Sequence, residues 1–193
     1  MKEGLTQVLD KLGDVTILYA DRKELTEHLK DRPDLVILAS ENRLDPESDN
    51  PEEWMTEFEE DKIVDYVKKG GSWLVWHSGL VSYQKLTTYI DMVGGSFDYH
   101  PEKPVSVNYK YIEESSLTDR KEEFSITDEH CFINYGKDVT VTMTSSSEYE
   151  ESVAGWTVKY GEVCVYIPAH NKEGLMSRPV KIDLEAITKK MMQ

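Results

Sequence analysis

The sequence predicts an α/β fold: a doubly wound, mostly parallel sheet with helices on both faces. Three observations carry this. Helical and strand patterns alternate through the first half of the chain. Residues 35–39 and 73–76 are nearly continuous apolar runs, as in strands buried on both faces. The second run stops abruptly at a polar residue, His77, and Ser78-Gly79 then makes a sharp turn. Delivery of a polar side chain at a strand-to-helix turn is how many α/β enzymes present a reactive group.

The elements follow in order. Leu5, Val8, Leu9 and Leu12 recur at helical spacing, and Gly13-Asp14 stops them. Residues 15–20 (VTILYA) read as a strand. Leu25, His28 and Leu29 mark a short helix, and Pro33-Asp34 leads into the strand 35–39. Residues 41–51, rich in Asn, Asp, Pro and Ser, form a polar loop. Asn50-Pro51-Glu52-Glu53 places proline at a first helical position and acids in a first turn. It predicts a helix over 52–69 carrying Trp54, Phe58, Ile63, Val64 and Val67, ended by Gly70-Gly71. The strand 73–76, the turn at 78–79 and a helix over 80–91 come next.

Beyond Asp91 the pattern changes. Gly94-Gly95 makes a turn, and residues 106–112 alternate like an exposed strand. Residues 124–133 mix apolar and polar side chains. Residues 139–143, 153–158 and 162–167 read as strands, with a turn at Tyr160-Gly161, and a helix over 184–192 closes the chain. No repeat, low-complexity segment or second boundary interrupts residues 1–193, so one domain is expected. A doubly wound sheet ordinarily starts with a strand, and this chain starts with a helix. Either the usual first strand is missing or the native chain extends upstream of Met1.

Composition narrows the partners. With 37 acidic and 22 basic residues the net charge is −15, which repels phosphate backbones and anionic membranes. Nucleic-acid and membrane partners are therefore not expected. A neutral or cationic small molecule, or a metal ion, is compatible, and so is plain solubility. No apolar run approaches the ~20 residues of a membrane span, and the N-terminus lacks a signal peptide's apolar centre. Cys131 and Cys164 lie in apolar stretches without CxxC spacing, as small buried residues of a reducing compartment do. Cytoplasm is the expected location, and an incomplete sheet points to a homodimer.

Of the five histidines, His77 and His170 fall at the carboxyl ends of strands, where open α/β sheets build sites. His77 serves either such a site or as a capping or core histidine. His100-Pro101 sits in an extended turn. His130 adjoins Cys131-Phe132 and reads as partly core. Asp128-Glu129 is the best acidic pair. In an extended segment two neighbours point to opposite sides, so at most one is expected to reach a given site, orienting a histidine or accepting a hydroxyl. His77, His100, His170 and one carboxylate would make a ligand set for zinc or iron, yet no HExxH or HxH spacing is present. No cofactor is expected. Ser78 lacks the GxSxG turn of a nucleophile. Trp76 is a candidate pocket wall and Ser78 and Tyr99 are candidate substrate contacts, whereas Trp73 and Trp156 read as core.

Four segments taken in order, VDYVKKGGSWLVWHSG, GGSFDYHP, FSITDEHCF and VAGWTVKYGEVCVYIPAH, resemble the ThuA-like (trehalose utilisation) family. The likeness runs from about residue 63 to 170, and more loosely from Val15. It implies a flavodoxin-like fold of the class I glutamine amidotransferase type. His77 then occupies the place of the amidotransferase cysteine, and imidazole cannot replace thiolate in a glutaminase cycle. His100, Asp128, Glu129 and His170 fall on family motif positions and are carried over as pocket residues. Trp76 and Ala169 stand where glycine is common, and His130 where an aromatic is common. The resemblance implies binding of a small carbohydrate or polyol. It also implies hydrolysis or isomerisation of a sugar derivative, with His77 or His170 as general acid or base oriented by Asp128 or Glu129. Two alternatives stay open: a non-catalytic interaction or assembly protein, and a metal-dependent hydrolase.

Overall fold

A computed structural model describes residues 2–13, 15–112, 118, 120–158 and 162–193. The chain opens with α1 (Lys2–Leu9) and a 3-10 turn that ends at Gly13, whose φ of 89° suits glycine. Then come α2 (Leu25–His28), β1 (Leu35–Leu38), α3 (Glu57–Lys68), β2 (Ser72–Trp76) and α4 (Thr87–Val93). Seven further strands follow: β3 (Gly95–Tyr99), β4 (Val105–Tyr111), β5 (Phe124–Asp128), β6 (Phe132–Tyr135), β7 (Val139–Ser146), β8 (Glu151–Val158) and β9 (Val163–Tyr166). Helices α5 (Lys172–Met176) and α6 (Arg178–Met191) complete the order.

The main sheet runs β1-β2-β9-β8-β7-β4-β5, and β3 pairs with β6 in a separate ribbon. β1, β2 and β9 are parallel, whereas every pairing from β9 outward to β5 is antiparallel. The expected mostly parallel sheet is thus mixed. The cause is connection length: residues 147–150 and 159–162 are too few for a crossover, so β7, β8 and β9 fold back as hairpins.

Helices cover both faces. Trp73 of β2 sits between Tyr66 of α3 and Tyr89 of α4, ring centroids 6.4 Å away in each case. On the opposite face Ser72 Oγ donates to the Met191 carbonyl at 2.7 Å, and the Tyr166 hydroxyl donates to Asp183 of α6 at 2.8 Å. Every residue of β2 is buried, which is why residues 73–76 are apolar without alternation.

Several boundaries differ from the sequence pattern, each for a local reason. Residues 15–20 form no strand: they have no ladder partner, and Leu18 stays 66% exposed. α3 starts at a capping box of Thr56 and Glu59, overriding the proline-acid signal upstream. Trp54 lies in the preceding loop, its indole N–H shared between the Glu41 carbonyl and the Tyr83 hydroxyl. The helix expected over 80–91 begins only at Thr87, because Ser82 has φ 68°, which a right-handed helix cannot include. α6 starts earlier than expected, with proline in its first turn. β3, β5, β6 and α5 have no counterpart in the expected elements, and the turn at 160–161 lies outside the described residues. No described helix is long and apolar enough to cross a membrane.

The 3-10 turn His77–Leu80 packs against the end of β1, and a Cβ on Gly79 would stand 2.4 Å from the Leu38 carbonyl oxygen. Gly79→Ala is therefore expected to cost about 1–3 kcal/mol by overpacking. Urea unfolding reads this directly, and an unshifted midpoint would refute the close approach.

Candidate functional site

The parallel pairing of β2 with β9 sets Trp76 opposite Tyr166, so both strands end at one level and their continuations run side by side. His77 leaves β2 with φ 45° and is only 7% exposed. Its Nδ1 donates to the Ile167 carbonyl at 2.7 Å. A carbonyl only accepts, so the Nδ1 proton is fixed and Nε2 is left uncommitted by the backbone. Ala169 then turns with φ 79°, the left-handed conformation glycine adopts at less cost, and delivers His170.

Asp128 ends β5 at the far edge of the sheet and is fully buried. Its carboxylate accepts five hydrogen bonds. Oδ1 takes His170 Nδ1 at 2.6 Å, the His170 N–H at 3.0 Å and the Glu129 N–H at 3.1 Å. Oδ2 takes the Tyr109 hydroxyl and the Ala169 N–H, both at 2.7 Å. The next residue has left the strand, so β alternation no longer applies to it. Glu129 therefore reaches the same site as Asp128, contrary to the expectation that at most one of the pair would.

Glu129 stands among three imidazoles. Its Oε2 lies 3.4 Å from His77 Nε2 and 3.9 Å from His100 Nε2, and its Oε1 lies 4.0 Å from His170 Nε2. His100 is tied at Nδ1 to the Pro101 carbonyl at 2.7 Å. All three rings are thus held by an oxygen acceptor at Nδ1 and turn Nε2 toward one carboxylate. The His77 and His170 rings are 5.9 Å apart.

The charges reinforce one another. Burial alone would raise the Asp128 carboxyl, but the His170 hydrogen bond, the His77 charge and two backbone N–H groups bring it below its ordinary value. Glu129 is lowered chiefly by its hydrogen bond to His77, against a burial effect of opposite sign. His170 is raised above its ordinary value chiefly by its hydrogen bond to Asp128. The arrangement can take up a proton at His170, steady the resulting imidazolium with Asp128, and offer a hydrogen-bonding carboxylate beside it.

The remaining candidates fall elsewhere. Trp76 is 1% exposed, and its indole N–H donates to the Pro168 carbonyl at 2.9 Å, so it holds the backbone before His170 from inside the core. Tyr99 is half exposed and stacks on Phe132. Ser78 lines a separate cavity, whose lining includes none of His77, His100, His170 and Glu129. His130 is buried, with ring nitrogens 2.7 and 3.1 Å from the Ser147 and Ser145 hydroxyls, and burial lowers its pKa. Burial also pushes both cysteine thiols up. Among the described residues no group of three or more His, Cys, Asp or Glu is arranged to hold a metal ion.

Two partners escaped the sequence. The Asn171 side-chain amide lies 3.3 Å from His170 Nε2 while its carbonyl caps α5 through Gly174. Tyr109 occupies an inward position of an alternating strand, which shows its face but not that its hydroxyl meets an acid.

The family model described as trehalose utilisation, ThuA, matches residues 5–177. The chain belongs to the ThuA family. A protein described as ThuA-like from Bacteroides uniformis superposes with a TM-score of 0.75 at 17% identity, covering 98% of this chain and 83% of that one. A cytoplasmic protein from Salmonella typhimurium gives 0.72 at 14%, covering 99% and 87%. A GMP synthase component from Thermoplasma acidophilum gives 0.61 at 16%, covering 97% and 87%. At these identities the likeness is one of fold, a mixed α/β sheet. No curated protein matches the sequence.

pH dependence follows from the Asp128–His170 pair. The folded pKa of His170 lies above its ordinary 6.5, so its contribution is complete below that pH and fades as pH rises through the folded value. Asp128 and Glu129 contribute above their ordinary 3.8 and 4.5, and lose this as pH falls through their lowered folded values. Asp128→Asn is expected to cost about 3–5 kcal/mol and to lower the His170 titration midpoint seen by NMR. An unmoved midpoint would contradict the pairing.

Proposed function

We propose that this ThuA-family protein binds a small carbohydrate or polyol against His77, His100, His170 and Glu129, and hydrolyses or isomerises a sugar derivative by histidine acid–base chemistry. One observation carries the reading: three imidazoles, each held at Nδ1, direct Nε2 to a single carboxylate. His170 acts as base or acid, backed by Asp128, and His77 is the second proton carrier, steadied by Glu129. A hydroxyl of the substrate gives its proton to an Nε2, and the Glu129 carboxylate accepts a hydrogen bond from its neighbour. The family's description, trehalose utilisation, supports a sugar as substrate.

Glutamine amidotransfer is not part of this reading. The strand-to-helix turn carries His77 instead of a thiol, and Cys131 and Cys164 are buried with their thiols pushed up. We read the parallel β1-β2-β9 unit as the core of a flavodoxin-like sheet, and the cytoplasm as the working compartment, in line with the description of the Salmonella neighbour. A metal-assisted hydrolase is the second reading, although among the described residues no group of three or more His, Cys, Asp or Glu is arranged to hold an ion. Zinc-restored turnover after chelation would select it.

Saturation-transfer NMR with neutral mono- and disaccharides, followed by turnover of those that bind, tests the leading reading. His170→Ala and His77→Ala are each expected to lower turnover by about 100-fold or more. Undiminished binding and turnover in both variants would sink the acid–base role and leave a non-catalytic interaction protein.

A further inference from the structure

The chain leaving β1 turns through residues 39–44 and borders an open cavity of about 500 Å³ lined by Arg22, Ser40, Glu41, Arg43 and Ser78, among others. It lies beyond the carboxyl ends of β1 and β2, where open α/β sheets bind ligands. Ser78, which lines the cavity, follows His77 directly in the chain. Its size falls within the ~300–1,000 Å³ usual for ligand clefts.

The wall is held by contacts with three distant parts of the chain. The Tyr83 hydroxyl donates to the Ser40 carbonyl at 2.7 Å, and the Trp54 indole donates to the Glu41 carbonyl at 3.1 Å. Arg22 Nη1 bridges the Glu41 and Arg43 carbonyls at 3.3 and 3.0 Å. Asn42 is 1% exposed, its N–H donating to the Val81 carbonyl and its Oδ1 accepting from the Met55 N–H. A loop fixed this way is ordered before any ligand arrives.

The side chains that face the cavity are matched in charge. Arg22 and Arg43 stand against Asp21 and Glu41, within a protein of net charge −15. Arg43 meets Glu41 through Nε at 2.6 Å, and among the described residues its two Nη groups have no protein partner. A guanidinium edge beside a carboxylate offers donors and acceptors side by side. Two adjacent hydroxyls, each both donor and acceptor, satisfy that pair without adding charge.

We propose that this cavity is a second sugar subsite: it takes a neutral ring whose vicinal hydroxyls bridge Glu41 and Arg43, so the preferred ligand spans at least two rings. The inference rests on the reading of the histidine cluster as a sugar site. One ring lies over His77, His170 and Glu129, and the other over the Glu41–Arg43 pair.

Isothermal titration with D-glucose, trehalose, maltose and glucose 6-phosphate separates the two ideas. At least one disaccharide is expected to bind more tightly than D-glucose. Arg43→Ala and, as a milder change, Glu41→Gln are expected to weaken that disaccharide about tenfold or more while leaving D-glucose unchanged. His170→Ala weakens both sugars. The subsite is overturned, with the histidine reading intact, if D-glucose and the disaccharides bind equally and the Arg43 and Glu41 variants alter neither. It is likewise overturned if glucose 6-phosphate binds most tightly and loses that advantage in Arg43→Ala. Absence of binding by all four sugars, or binding indifferent to His170→Ala, removes the histidine reading and the subsite with it.

Discussion

The carboxylate of Asp128 is the constraint on which the site depends. It is buried at the end of β5, on the outer edge of the antiparallel half, yet two of its donors are the backbone N–H groups of Ala169 and His170. The chain leaving β9, in the middle of the sheet, is thereby drawn to the far edge and held there. Tyr109 closes the same carboxylate from β4. A buried charge is tolerable only when paired and hydrogen-bonded, and here five donors meet that need. The same bonds that make the charge tolerable orient the His170 ring.

Glu129 follows Asp128 directly and stands beside the fixed His170 ring. It lies among three imidazoles whose Nδ1 atoms are already bound, so its partners are their Nε2 atoms. The strand-to-helix turn supplies one of these rings, the β9 exit a second and the β3 exit a third. Parallel pairing of β2 with β9 brings the first two together, and the β3–β6 ribbon precedes His100 at the rim. The site is thus assembled from both halves of a mixed sheet, with Asp128 as the tie.

Much of this was legible in the sequence. An unbroken apolar run ending in a histidine marked β2 and its turn, because a strand buried on both faces favours apolar side chains along its length. The family resemblance placed Ala169 where glycine is common, and Ala169 adopts the left-handed backbone there. What failed did so for non-local reasons. The run at 15–20 has strand composition but no ladder partner, although β1 is an edge strand. Trp76 stands next to His77 in sequence but points into the core, where Pro168 accepts its N–H. Both carboxylates reach the site because β5 stops between them, a boundary that no alternation pattern marks.

By itself the sequence determined the buried parallel strands, the polar residue at the turn and which side chains carry titratable chemistry, since burial and alternation are local statements about apolar periodicity. It could not decide that the second half folds back antiparallel, that the exit of β9 is tied to the end of β5, or that His77, His100 and His170 share one carboxylate. Those outcomes rest on contacts between residues far apart in sequence, such as His170 with Asp128 and His77 with Ile167. Only the closed tertiary structure brings them within hydrogen-bond distance, because each bond draws its geometry from strands that the other residues hold in place.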